Sequence, residues 1–514
     1  MTTFATTTPG GARPNGEASA TSSPLVVVAN RLPVQRTPDG WRTSPGGLAS
    51  ALTAVLGDHD GIWVGWTGET GPRSAPSEVD GIRVKSVHLT ERDYEEFYLG
   101  FSNATLWPLY HDAVRSPAYH REWWHAYVEV NERFAAAAAS VAAPGGTVWV
   151  HDYQLQLVPR LLRELRPDLT IGFFLHIPFP PRELFLQLPW RRELIAGLLG
   201  ADVVGFQVRG AASNFSRLAR RLSTARGTNA EIEIEGRTVL VGAFPISVDS
   251  DQLAALAATP EVRDAAARIR ADLGDPECVL LGVDRLDYTK GIDQRIRAVA
   301  ELFDDGTLDP SRHVMVQVAV PSREDDPHYV SERHQLEQIV SQVNGEHARV
   351  GHPVVHYHHQ SLPIDELVAM YLAADVMLVT PFRDGMNLVA KEYVVCRADL
   401  SGALVLSEFA GAAAELKGAF MVNPHDLEGM KDAIRDAVRV DQKQGRARML
   451  RMRRAVLRHD VHAWAATFLG ALERHAGRRR AAIALPAAPA HRDRPRMRTA
   501  PLDLSDVSQP SGRP

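Results

Sequence analysis

Short β-branched, apolar runs alternate along this chain with longer stretches of helical periodicity, which is the pattern of parallel α/β layers. The expected strands are Leu25–Ala29, Thr147–Val150, Ile171–Leu175 and Val203–Phe206, followed by Cys278–Val283, Val314–Val320, Val354–Tyr357, Val376–Thr380 and Ala403–Leu406. Both series are apolar at nearly every position, as strands covered by helices on both faces should be. Ile232–Glu235 and Thr238–Val241 flank Gly236-Arg237 and read as a hairpin, after which Phe244-Pro245 opens a connector. A boundary there gives two Rossmann-like doubly wound domains, residues 24–245 and 246–457, facing a central cleft. An amphipathic helix over Val461–Ala476 is expected next, within residues 458–477.

Composition fits this picture. The chain has 514 residues, 45% hydrophobic and 23% charged, an ordinary globular balance. Its two cysteines, Cys278 and Cys396, lie inside apolar segments. They read as reduced, buried thiols of a cytoplasmic protein and exclude a disulfide framework. No apolar run approaches the ~18 residues of a membrane span, and the polar segment 1–23 reads as a disordered leader without the apolar stretch of a signal peptide. Residues 478–514 carry eight Arg against three Asp, with six Pro, and read as a disordered basic tail. Setting that tail's +5 aside turns the chain's net −5 into −10 on residues 24–477. An acidic body argues against nucleic acid as a partner.

In open parallel sheets, ligands bind beyond the carboxyl ends of the strands. The residues at those ends are Asn30-Arg31, His151-Asp152, His176, Asp284-Arg285, Arg323 and Arg383-Asp384. Several Arg converging with carboxylates would repel one another unless a multiply anionic ligand neutralised them. Lysine is scarce, six against 51 Arg, yet Lys290 and Lys391 both fall in these segments. Arg285 and Lys290 bracket a strand-to-helix loop. They form either a phosphate site with the helix N-terminus or two solvated cations. Asp384-Gly385-Met386-Asn387 is a second such turn. Gly385 would let the backbone approach a ligand, Asp384 could bind sugar hydroxyls and Glu392 a ribose diol; the alternative is a helix cap at Asn387. Ser44-Pro-Gly-Gly-Leu48 is a third, weaker glycine turn. Tyr98 and Trp107 could line a sugar or phosphate pocket, while Trp123-Trp124 reads as core or cleft wall. The histidine-rich run His352–His359 lacks a Cys or carboxylate at ligand spacing, and Asp58-His-Asp60, although of the Asp-x-Asp form used for metal-bound nucleotide sugars, falls in a helix-to-strand loop away from the candidate crevice, so no metal site is expected.

Several runs then resemble one family. They are Val-Ala-Asn-Arg-Leu (28–32), Ser-Pro-Gly-Gly-Leu (44–48), Trp-Val-Gly-Trp-Thr-Gly-Glu-Thr-Gly (63–71), Phe-Ser-Asn-Ala-Thr-Leu-Trp-Pro (101–108) and Val-His-Asp-Tyr-Gln-Leu (150–155). They continue with Gly-Phe-Phe-Leu-His-Ile-Pro-Phe-Pro (172–180), Arg-Leu-Asp-Tyr-Thr-Lys-Gly (285–291) and Arg-Asp-Gly-Met-Asn-Leu-Val-Ala-Lys-Glu (383–392). In order, over residues 24–475, these resemble the trehalose-6-phosphate synthases, retaining glycosyltransferases of family 20.

The resemblance implies a GT-B fold, no catalytic metal or other cofactor, and transfer of glucose from a nucleotide diphosphate glucose to C1 of glucose 6-phosphate. It implies that Arg31, Tyr98, Trp107 and Arg323 hold the acceptor and its phosphate, with Asp152 on the acceptor hydroxyls. On the donor side it implies Gly46 and Gly47, Arg285 and Lys290 on the leaving diphosphate, and the amides of Leu388, Val389, Ala390, Lys391 and Glu392. Asp384 would bind the donor glucose, Glu392 the ribose and Leu362 the base, with His176 beside the sugars. A homo-oligomer, dimer or tetramer, is expected by the same resemblance. No Asp-x-Asp-x-Thr/Val phosphatase motif follows, so the product should stay phosphorylated. Three rivals frame this reading. A dinucleotide dehydrogenase is rejected because no Gly-x-Gly occurs in the chain. A sister transferase using another phosphorylated polyol or cyclitol keeps the same fold. A silent sugar-phosphate sensor would not need the intact set of Arg285, Lys290, Asp384 and Asp152.

Overall fold

Two parallel sheets organise the chain in the computed structural model. It describes residues 22–484 apart from 38–39, 44–51, 54–55, 57–59, 73 and 325. The first sheet has ten strands. Its seven parallel ones, in chain order, are Ser23–Arg31, Ile62–Trp66, Ile82–Ser86, Ala142–His151, Thr170–Phe174, Val203–Phe206 and Arg237–Ala243, and they stand across the sheet as 3-2-1-4-5-6-7. Antiparallel additions, Glu78–Val79 at one edge and Glu231–Ile234 with Arg226–Gly227 at the other, complete it. The second sheet is wholly parallel, with Cys278–Arg285, His313–Val320, Val355–His358, Val376–Val379, Ala403–Ser407 and Phe420–Val422 standing 3-2-1-4-5-6.

This order has a direct consequence. Each sheet reverses its winding between strands 1 and 4, which opens a crevice at their carboxyl ends. In the first sheet that point lies between Arg31 and His151; in the second it lies between Arg285 and Val379. Both Rossmann-like lobes expected from the sequence are therefore present, and each presents its switch point with charged residues on it.

Several boundaries differ from the sequence reading. Ser23, expected in the leader, opens the first strand, and Asn30-Arg31 belong to it. Ile82–Ser86 escaped detection because it alternates, with Ile82 and Val84 buried and Lys85 exposed. Ile62–Trp66 is buried throughout, but its Trp-Val-Gly-Trp lacks the β-branched run that marked the other strands. The hairpin turns on Glu235-Gly236, whose φ values of 50° and 72° are the left-handed pair of a type I′ turn, so Arg237 already belongs to the second strand. The last helix runs Val461–Ala484, so residues 478–484, assigned to the tail, are helical. Residues through His475 form one compact unit, and Ala476 begins a second.

The first part of that helix packs on the first sheet. Phe468 stacks on Trp149 at 4.7 Å, and Trp464 meets Trp149 and Phe174. A Cβ at Gly172 or Gly205 would lie 2.8 or 2.6 Å from the Phe468 ring, so these two strand glycines form its seat.

Candidate active site

A cavity of about 550 Å³ lies where the two switch points meet, lined by Arg31, Tyr98, Trp107, Asp152, His176, Arg285, Lys290, Arg323 and Asp384 among others. With Asn30 and His151, eleven of the residues singled out in the sequence thus share one space. A second cavity of about 610 Å³ adjoins it through Arg31, Tyr98 and Arg323.

One end of the cavity is built on aromatic rings. Tyr94–Leu106 winds as a π-helix and sets Tyr98 against Trp66 with centroids 5.7 Å apart. The Arg31 guanidinium lies 5.0 Å over Trp66, and a Cβ on Gly68 would meet it at 2.1 Å, so Gly68 (φ 96°) makes room for it. Arg323 lies 4.2 Å over the Trp107 ring and Arg285 5.3 Å from its centroid, a geometry favourable to both cations. Arg323 donates to Asp287 (3.3 Å), to the Tyr153 hydroxyl (3.3 Å) and to Tyr329. Burial works against charge on Asp287, but Arg323, Arg285 and Lys290 outweigh it and hold the carboxyl down at about 2. Asp287, Tyr153 and Tyr329 were not singled out in the sequence. Asp287 lay inside the Arg285–Gly291 run, but only the cations at that run's ends were assigned.

Two carboxylates, Asp152 and Asp384, line the same cavity. Asp152 sits at φ 74°, ψ 173°, backbone almost reserved for glycine, directly after the strand ending at His151. Burial pushes its carboxyl up to about 6, although bonds from the His176, Tyr153 and Ile177 amides and the charge of Arg285 pull the other way. Asp384 accepts from Lys290 Nζ at 2.6 Å and from Asn387 Nδ2 at 3.2 Å, which holds it below its ordinary value despite burial.

The helix Leu388–Cys396 begins beside Asp384. Asn387 (φ 77°) caps it, its Oδ1 accepting from Ala390 N at 3.1 Å. The helix cap that was the alternative reading of this turn is present; it occupies the Ala390 amide, and those of Lys391 and Glu392 lie within the helical ladder. The orphan amides narrow to those of Leu388 and Val389. The Lys391 side chain is buried away from the cleft, donating to Ile246 O (2.8 Å) and Glu415 (2.5 Å). Glu392 is bonded to the Tyr371 hydroxyl at 2.7 Å, and burial raises its carboxyl. Neither it nor Leu362, which is partly buried against the core, lines the cavity. Gly46 and Gly47 lie outside the described residues, as do Asp58 and His59.

Three expectations are corrected. Asp284 does not reach the cleft: it is buried against Arg295 at 2.6 Å, which also bonds Gln317 and Thr380 beneath the switch point. Arg383 turns out of the cavity to pair with Asp112 at 3.2 Å. Gly385 does admit close approach, but to protein: a Cβ there would sit 2.0 Å from His176 O. Trp124 is core, stacked on Trp190 at 5.3 Å.

Two Rossmann-like lobes with facing switch points, and a cationic cleft holding two carboxylates, define a GT-B glycosyltransferase. Residues 23–474 match glycosyltransferase family 20, and the chain belongs to it. It is 58% identical over 464 residues to the trehalose-6-phosphate synthase of Mycobacterium sp. (strain KMS), an alignment covering 88% of this chain and 95% of that protein. Among solved structures it is similar to an α,α-trehalose-phosphate synthase (UDP-forming) from Burkholderia xenovorans in complex with glucose-6-phosphate, with TM-score 0.80, 34% identity and coverage of 87% and 99%. It is also similar to a trehalose-6-phosphate structure from E. coli bound with UDP-2-fluoro glucose, with TM-score 0.81, 33% identity and coverage of 88% and 99%.

Proposed function

We propose that this chain transfers glucose from UDP-glucose to the C1 hydroxyl of glucose 6-phosphate with retention, releasing UDP and α,α-trehalose 6-phosphate. The observation that carries the reading is the sorting of charge along one cleft. Arg31 and Arg323 lie beside Tyr98 and Trp107 at one end, Arg285 and Lys290 stand at the second switch point, and Asp152 and Asp384 lie in the cleft they border. Family membership and the relatives' names support the same substrates.

Arg31, Tyr98, Trp107 and Arg323 take the acceptor phosphate, and Asp152 accepts from its sugar hydroxyls. Arg285 and Lys290 take the diphosphate with the Leu388 and Val389 amides, Asp384 binds the donor glucose and Glu392 the ribose. Leu362 borders the base, and Gly46-Gly47 approach the donor. As the glycosidic bond breaks, negative charge grows on the departing oxygen and positive charge on the sugar. Preformed cations aimed at the first stabilise that state. Lys290 is bound to Asp384 here, so donor entry exchanges this ion pair for contacts to diphosphate and glucose hydroxyls.

No metal or other cofactor is assigned a role, since Arg285 and Lys290 supply the charge; turnover should survive exhaustive chelation. The two buried, unpaired cysteines fit a cytoplasmic enzyme, among the described residues no helix is long and apolar enough to cross a membrane, and a homo-oligomer is the proposed assembly, readable by light scattering. The deciding experiment incubates purified protein with glucose 6-phosphate and each nucleotide glucose, and identifies the released nucleotide and disaccharide phosphate. Transfer to another phosphorylated polyol but not to glucose 6-phosphate would overturn the acceptor; no transfer at all would overturn the reading.

A further inference from the structure

His151 and His176 meet edge to edge beside the cleft. His151 Nδ1 and His176 Nε2 are 3.0 Å apart, with the ring planes within 22° of each other. Neither ring carries charge near neutrality: burial drives His151 well below its ordinary value and His176 down to about 3. Two neutral imidazoles at this separation share one proton. Which ring owns it decides what His176 offers the cavity it lines, because Nε2 is engaged and Nδ1 is the ring nitrogen that remains.

The surroundings of His151 favour one answer. The residue is 1% exposed, its ring packs on Trp149 at 4.7 Å, and its Nε2 is buried without a protein partner. If His176 owned the shared proton, His151 would carry its own on Nε2, as a buried donor with no acceptor. The same aromatic enclosure already holds two indole N–H groups without acceptors, on Trp149 and Trp464. A third N–H adds another unmatched positive pole, and a bare nitrogen does not.

We propose that His151 is a positioning residue that donates from Nδ1 to His176 Nε2, fixing His176 as the Nδ1–H tautomer and hence as a neutral hydrogen-bond donor to a sugar hydroxyl in the cleft. The partner on one ring nitrogen sets what the other can do. The inference rests on the glycosyl-transfer reading above and names the atom of His176 that serves it. His176 then neither gains nor loses a proton during the reaction.

The test uses ¹⁵N NMR of the histidine rings in the full-length protein, with His151→Asn, which keeps an amide donor near the Nδ1 position, and His151→Leu, which keeps none. Wild type and His151→Asn should show His176 protonated on Nδ1 with a bare Nε2, and His151→Leu should lose that signature. In His151→Leu, kcat/KM for the nucleotide sugar should fall about tenfold to a hundredfold, with KM for glucose 6-phosphate unchanged and most activity regained in His151→Asn. A wild-type His176 protonated on Nε2 overturns the proposal, as do Asn and Leu variants that are equally impaired. Should the Leu variant not fold, the spectra of the other two proteins still decide. Absence of transfer by the wild type would count against the reaction alone, because the ring spectrum is read without substrate.

Discussion

Asp152 combines a strained backbone, a partly buried place in the cavity wall and a carboxyl at about 6, which makes it the residue with the most readable signature. Its folded-state value lies above the roughly 4 of an unfolded chain, so the folded protein holds the proton more tightly. The contribution to stability is then full below about pH 4 and is lost as pH rises through about 6, a change of about 3 kcal/mol. Asp152→Asn does not titrate, so urea unfolding of wild type and variant at pH 4 and pH 7 should differ by about that amount; parallel curves would place the carboxyl elsewhere. Arg323 is read through kinetics instead. Its guanidinium is spread over Trp107 with two of its donors tied to Asp287 and Tyr153, so its position is fixed in advance, as the proposed hold on the acceptor phosphate requires. Arg323→Ala should raise KM for glucose 6-phosphate about tenfold to a hundredfold, the worth of charge-assisted bonds, with little change in KM for UDP-glucose. Equal effects on both would remove it from the acceptor end.

The elements were legible in the sequence where uniform burial coincided with a β-branched run; Ile62–Trp66 is buried throughout but lacks that run. Cys278–Arg285 and Val376–Val379 are buried at almost every position and were found nearly to the residue, whereas Ile82–Ser86 alternates and was missed. Cations at strand ends were legible because loops after strands are short and their position fixes their neighbourhood. Which of those polar groups serve the fold was not, because that depends on long-range partners: Asp284 looks like Arg285's neighbour in function until Arg295, eleven residues on, is seen to consume it. That buried pair, with Gln317 and Thr380, joins two adjacent strands to the residue that follows a third, under the second switch point. Arg295→Met should cost about 3–5 kcal/mol, because it strands Asp284 without a counter-charge. Loss of hydrogen-exchange protection should concentrate in Cys278–Arg285, His313–Val320 and Val376–Val379, and adding Asp284→Leu should recover much of it. A single variant as stable as wild type would show the pair to be dispensable.

Between the lobes, side chains meet both in the cavity, where Arg323 donates to the Tyr153 hydroxyl and lies over Trp107, and around it. Arg115 pairs with Glu332 at 2.9 Å, Arg383 with Asp112 at 3.2 Å, and Lys391 holds the carbonyl of Ile246 in the connector. The two ion pairs are partly exposed and individually weak, whereas the Lys391 contact is buried. The Gly385 contact is different in kind. Its Cα faces His176 O so closely that a Cβ would stand 2.0 Å from that oxygen and 3.0 Å from Ile177 Cα, and Gly411 in turn leaves room for the Gly385 carbonyl. The lobes are therefore closed here to the limit that a residue without a side chain permits, with Asp384 beside His176 across the seam. A methyl group at 385 must push the lobes apart by about 1 Å to regain ordinary contact, and a displacement of that size between reacting groups is worth about a hundredfold in rate. Gly385→Ala should lower kcat by about that factor. UDP affinity, which the proposed function assigns to Arg285, Lys290 and the Leu388 helix within one lobe, should stay near wild type, as should the melting temperature. Calorimetry with UDP alone and steady-state kinetics with both substrates separate the two effects. Full turnover in Gly385→Ala would mean that catalysis does not pass through the closed seam, while loss of UDP binding together with turnover would place the damage in the donor lobe itself.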